Sequence, residues 1–189
     1  EVEGCYDPKV RSFGEEAPLL VERAIRAAAE EGVARSAGTL RASAVTARLI
    51  SSGDVDVTED QSGLYFSFRA MKDDEASGHA ISVGRSLGGF DTEAAATRAA
   101  RIAMMAQSPK TIVPGKYEVL FDHLAIANLL SVAGSAASIF SVESGLSFFK
   151  GKLGKRVASP IVSLYDDPRL PGGFGSSKFD AEGVPCLLY

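Results

Sequence analysis

Apolar and polar positions repeat along this chain with two different periods, and the change of period marks out its elements. Leu19, Leu20, Ala24, Ala27 and Ala28 recur at helical spacing, opposite Glu22, Arg23, Arg26 and Glu30. Pro18 suits a first helical turn, where a missing N–H is no loss. Glu15 and Glu16 complement the positive end of the helix dipole, and Gly32 marks the helix end. Thr39 to Ile50, Gly63 to Met71 and Gly78 to Arg85 then read as strands between Gly, Asp and Ser clusters. In the middle strand Leu64, Phe66 and Phe68 fall on one side, and Tyr65, Ser67 and Arg69 on the other. The short polar turns between the strands predict an antiparallel meander with one buried face.

A second helix is predicted from a cap at Asp91 or Thr92 to about Gln107, with Glu93 in its first turn. Pro109 and Pro114 bracket a connector. Lys116 to Phe121 and Pro160 to Tyr165 read as short strands, and Gly145 to Gly154 as short helix and turn. The tail from Asp166 to Pro185 reads as loop. Leu124 to Val142 is uncharged over 19 residues, close to a membrane-spanning length. It also holds Asn128, Ser131, Ser135, Ser138 and Ser141, and most of its apolar positions are only alanine. Each polar group would need a partner inside lipid, so the segment reads as a helix buried in a protein core. Helices before and after a run of sequential strands predict an α+β fold, an antiparallel sheet with packed helices.

Composition narrows the class. With 46% hydrophobic and 23% charged residues, the chain has the balance of a globular domain rather than of a disordered segment. The net charge of −4 opposes direct nucleic-acid binding, which needs a clustered positive field. The run Lys150, Lys152, Lys155 and Arg156 is read as a solvated loop. Cys5 and Cys186 form no metal-binding or disulfide pattern and suit a reducing cytoplasm. The chain starts at Glu1 and stops just after the apolar Cys186-Leu187-Leu188, as expected of an internal piece of a longer protein.

Familiar catalytic machinery is absent from the residues themselves. There is no G-x-S-x-G elbow, and the two histidines, His79 and His123, read as structural or surface residues. Asp122 adjoins His123, but neighbours on a helix point in different directions. Gly145 to Leu153 has five residues, not four, before Gly-Lys and has Leu153 in place of a hydroxyl, so it is not a phosphate loop. Pro171-Gly172-Gly173-Phe174-Gly175 reads as a set of turns. The acidic pairs Asp73-Asp74, Asp166-Asp167 and Asp180-x-Glu182 lack the ligand spacing of a calcium loop and read as solvated turns.

Four segments of the second half change the picture when taken in order. They are Gly115-Lys116-Tyr117-Glu118-Val119-Leu120, Gly154-Lys155-Arg156-Val157-Ala158-Ser159, Asp166-Asp167-Pro168 and Phe179-Asp180-Ala181-Glu182-Gly183-Val184-Pro185. Together they resemble the TldD/PmbA family, once named modulators of DNA gyrase. Ser51-Ser52-Gly53 before paired strands fits more loosely. The resemblance implies an N-terminal α/β sheet domain and a C-terminal β-barrel-like domain. This chain would span the end of the first (1–110) and the start of the second (111–189).

In the TldD branch a helix carries H-E-x-x-x-H, whose imidazoles bind zinc and whose carboxylate takes a proton from the bound water. Counted back from Gly154 without gaps, the motif falls on Leu130 to Ser135. Leu130 stands for the first histidine, Ser131 for the glutamate and Ser135 for the last histidine, while the glycine before it remains as Gly134. The resemblance therefore implies the PmbA (TldE) branch, with no catalytic residue and no metal ligand in this chain. On that reading zinc belongs to a TldD-type partner in a peptidase complex acting on unfolded peptides. The implied setting is cytoplasmic, with an extended peptide as substrate, a TldD-type paralogue or a second copy as partner, and neither membrane nor direct nucleic acid. Two other readings stand beside it. One is a stand-alone peptide-binding or regulatory protein in the form of a homodimer. The other is an active metallopeptidase using His79, His123 or ligands beyond Tyr189.

Overall fold

A computed structural model of the chain describes residues 2–186. It divides into two units, Glu1–Thr111 with Asp167–Leu188, and Ile112–Asp166.

The first unit is built on a three-stranded antiparallel sheet in the order β1-β2-β3, with β1 at Arg35–Ile50, β2 at Asp56–Met71 and β3 at Ser77–Gly84. The meander and its buried face are as the alternation predicts, since Leu64, Phe66 and Phe68 are buried while Arg69 is exposed. Both long strands extend beyond the predicted limits, β1 starting at Arg35 and β2 at Asp56. The polar run Asp56 to Gln61 has no apolar alternation to reveal it. It joins the ladder because the register continues without a bulge from Arg35↔Met71 to Ile50↔Asp56. Cross-strand polar pairs reinforce that stretch. Arg48 Nε and Nη2 reach the two Asp56 oxygens at 2.8 and 2.6 Å, and Thr46 donates to Asp60.

Helices α1 (Ala17–Glu30) and α2 (Thr92–Met105) cover one face of the sheet. Pro18 lies in the first turn of α1, and Gly32, at φ +90°, follows its C-cap. At α2, Asp91 caps the helix by accepting from the Ala94 N–H at 2.8 Å. The core between the layers is unusually thin on the helix side. Ala24 and Ala28 of α1 and Ala95, Ala96, Ala99, Ala100 and Ala103 of α2 meet Phe66, Phe68, Ala70 and Ala80. Small side chains let backbones approach, and Gly78 shows how closely: a Cβ there would sit 2.0 Å from the Ala99 carbonyl oxygen. A 3₁₀ helix, Pro8–Glu15, was not foreseen. It brings Val10 and Phe13 onto Leu64, with Phe90 set edge-on to Phe13.

The second unit departs from expectation. The predicted strands at Lys116–Phe121 and Pro160–Tyr165 do not form; both stretches are irregular. Strand propensity expresses itself only beside a pairing strand, and neither segment has one among the described residues. The uncharged stretch does become helical, but as α3 (His123–Ala137) and a short α4 (Ile139–Glu143), broken at Ser138. No residue of either helix is buried, so the expected buried helix is corrected: α3 packs against α4, and the side chains of both stay at least partly exposed. Among the described residues, no helix is long and apolar enough to cross a membrane.

Candidate functional site

Helix α3 carries the positions matched to the zinc motif. Leu130, Ser131 and Ser135 are all exposed on it, and Ser131 and Ser135, four residues apart, share one face. The Ser135 carbonyl accepts from Ser141 Oγ at 2.8 Å. An aliphatic side chain and two neutral hydroxyls do not fit a zinc ligand set, which draws on imidazole, thiolate or carboxylate. No cluster of three or more His, Cys, Asp or Glu suited to a metal occurs among the described residues.

At the start of α3 the structure corrects the reading of Asp122 and His123. Asp122 is the N-cap, with extended backbone, so its carboxylate turns back over the first helical turn. It lies 2.6 Å from His123 Nδ1, and both groups are substantially exposed. The other histidine, His79, sits on β3 with Nε2 3.0 Å from Ser67 Oγ across the strand pair.

The acidic pairs are turn-formers, as read from the sequence. Asp73 Oδ1 accepts from the Ala76 and Glu75 N–H groups at 2.7 and 2.9 Å, and these bonds hold its carboxyl below the usual carboxylate range. Asp167 Oδ1 accepts from Arg169 N, and Asp180 Oδ1 from Glu182 N and Val184 N.

The most elaborate polar cluster in the molecule escaped the sequence reading. It lies on the sheet face away from the helices, where the tail of the first unit crosses β2. Arg85 is only 8% exposed, yet no carboxylate pairs with it among the described residues. Its guanidinium spends its donors on carbonyls instead. Nε reaches Gly173 O at 3.0 Å, Nη1 reaches Ser62 O at 3.0 Å and Gln61 Oε1 at 3.4 Å, and Nη2 bonds Phe174 O and Ser176 O. The same guanidinium stacks on the Phe174 ring, 5.2 Å from its centroid. Glu59, 4% exposed, holds the next stretch by accepting from Lys178 N at 2.7 Å and Ser177 Oγ at 2.8 Å. Gln61 links the two, donating to Glu59 at 3.0 Å. Arg85 merely ends an alternating strand, and Glu59 precedes any apolar pattern, so no local period marks either one. The glycine-rich Pro171 to Gly175 was the available signal. It does form turns, with Gly172 at φ +65°, but turns that present carbonyls to one arginine.

Beyond Phe174 the same face is open. A groove of about 870 Å³ runs along β1 and β2 between Thr39, Arg41, Ser43, Tyr65, Ser67 and the Phe174 ring. Gly63 permits this wall, since a Cβ there would already stand 3.2 Å from Ser43 Oγ and 3.5 Å from the ring.

Similarity to known proteins agrees with this architecture. Residues 114–187 match the model of the PmbA/TldA metallopeptidase C-terminal domain. A metalloprotease of Methanocaldococcus jannaschii is 40% identical over 91 residues, which make up 48% of this chain and 19% of that protein. A Thermotoga maritima structure, described as a candidate modulator of a DNA gyrase, superposes with a TM-score of 0.91 at 28% identity. The match covers 98% of this chain and 44% of that one. A Bacteroides thetaiotaomicron structure, described as a candidate modulator of DNA gyrase, shows the same fold at 20% identity, with a TM-score of 0.85 over 100% of this chain and 45% of its own. The chain thus spans less than half the length of these relatives. The fold is that of these two solved structures, and residues 114–187 match the C-terminal domain of a metallopeptidase family. Over residues 114–187 the chain belongs to the TldD/PmbA family.

Proposed function

We propose that this chain is the PmbA-like, zinc-free component of a TldD/PmbA-type peptidase complex in the cytoplasm. The observation that carries this reading is the residue set at the matched zinc positions: Leu130, Ser131 and Ser135 offer neither imidazole nor carboxylate. A TldD-type paralogue would then supply both zinc and the general base. The name of the M. jannaschii relative, a metalloprotease, supports the reaction class.

This chain would contribute peptide binding. Its β1 is 16 residues long, without proline or bulge, and on its outer side no strand pairs with it among the described residues. Such an edge offers a row of N–H and C=O groups to an extended peptide, which can add as a further strand. The unpaired edge equally suits a stand-alone peptide-binding protein, or a second copy of this chain as partner. The net charge of −4 argues against direct contact with nucleic acid.

Cleavage of an unstructured peptide by the full-length protein, alone and mixed with its H-E-x-x-x-H paralogue, tests the proposal. Activity in the mixture beyond that of the paralogue alone is expected. No gain on mixing would favour the stand-alone binding role, and activity of this protein alone would reveal a metal site elsewhere.

A further inference from the structure

The open half of the outer sheet face has a charge pattern at odds with the rest of the molecule. Its rows are set by the register: Ser43 beside Gly63, Arg41 beside Tyr65, Thr39 beside Ser67, and Arg69 beside His79. Arg41, Arg69 and His79 are exposed, and hydroxyls from both strands lie between them. Among the described residues no carboxylate pairs with them. Among the acidic residues of the strands, Asp56 is held by Arg48, Asp60 lies by Arg11, and Glu59 is buried beneath the tail. The other arginines of the sheet are also engaged. Arg35 pairs with Asp74 at 2.7 Å, and Arg85 is spent on carbonyls. Arg69 donates to Ser77 Oγ at 3.1 Å, and among the described residues neither Arg69 nor Arg41 has a carboxylate within ion-pair distance. A chain of net charge −4 therefore presents one face with cations and no anions.

The groove is walled rather than flat. Phe174 closes one end, clamped by the Arg85 guanidinium on its ring and its carbonyl. From there to Arg69 the side-chain rows repeat every second residue, a span of roughly 20 Å, or about six residues of extended chain.

We infer that this groove binds an extended, acidic polypeptide segment, whose carboxylates meet Arg41 and Arg69 and whose backbone meets the hydroxyls and the adjoining β1 edge. Charge complementarity selects the occupant. Two arginines suit a few carboxylates, whereas a nucleic-acid strand needs a continuous cationic track and a run of stacking aromatics, and the groove lining offers two such rings, Tyr65 and Phe174. The inference deepens the reading of this chain as a peptide-binding component by naming the class of peptide. Its test needs no paralogue, so either proposal can fail while the other stands.

The test is fluorescence anisotropy of the full chain with labelled extended peptides of about ten residues, identical except for glutamate or glutamine at alternate positions. The glutamate peptide is expected to bind about tenfold more tightly, as one or two charge-assisted contacts imply, and to weaken as salt rises. Arg41→Glu should remove that advantage while circular dichroism and the melting temperature hold, because Arg41 is exposed and its side chain has no hydrogen-bond or ion-pair partner among the described residues. Arg69→Gln should reduce it by a smaller factor. Equal binding of the two peptides by the unaltered chain would overturn the inference, as would an unchanged preference in a folded Arg41→Glu variant. An oligothymidylate that binds as tightly as the glutamate peptide would overturn it in favour of a nucleic-acid surface.

Discussion

Leu64, Phe66 and Phe68 lie sealed between the sheet and two alanine-lined helices, whereas Leu120, Phe140, Leu146 and Ile161 of the second unit stand in solvent. The two regions are comparably rich in apolar residues. Every buried apolar residue among the described ones belongs to the first unit. What separates the regions is the presence of a second layer. A sheet face is buried by helices that bring a matching stripe, while α3 and α4 pack against each other and bury no residue. Apolar content supplies the driving force for burial, but layering decides where it acts.

The sharpest way to break this contrast is to delete matched apolar volume on each side. Phe66→Ala should destabilise the protein by about 3–5 kcal/mol, because Phe66 is 1% exposed and packs at the centre of the core. Leu120→Ala, at a residue 100% exposed, should change stability by less than about 0.5 kcal/mol. Urea unfolding of the two variants reads both numbers, and similar losses would mean that the second unit has a core of its own.

A smaller effect sharpens the role of the tail within the first unit. Arg85→Lys keeps the charge but loses the planar fork that serves five carbonyl acceptors. The expected loss is about 1–3 kcal/mol, with earlier proteolytic cutting between Asp167 and Cys186 than in the unaltered chain. Cutting at unchanged rate would show that Glu59 and the turn glycines hold the tail without Arg85.

The smallest effect concerns the β2–β3 turn. The Ala76 and Glu75 N–H groups lower the Asp73 pKa in the folded state, so the folded protein prefers the ionised form. That contribution is present above the unfolded carboxylate pKa, about 4, and fades as pH falls through the lower folded value. Asp73→Ala should therefore be less stable than the unaltered chain at neutral pH, with the gap narrowing on acidification. A gap independent of pH would mean that the carboxylate charge plays no part.

Much of this was legible in the residues. The β-meander, the Asp91 cap, the start of α1 and the turn-forming role of Asp73 and Asp180 all follow from short-range rules, in which the signal and its physical cause lie within a few residues. The ends of β1 and β2, the exposure of α3 and the irregular state of Lys116–Phe121 were not legible, because each depends on whether another segment lies alongside. Asp122 and His123 show the same limit at close range: the pair forms because the helix begins one residue later than simple adjacency assumes.

The sequence by itself determined the helix caps, the acidic turns, the face each strand of the meander buries and the likeness to the TldD/PmbA family, since those rest on residue type and spacing. Only the tertiary structure decided that Arg85 anchors a tail 88 residues away at Gly173, and that Arg41, Tyr65 and Phe174 border one groove. Residues so far apart are joined by sheet register and chain return, which leave no periodic trace in the order of amino acids.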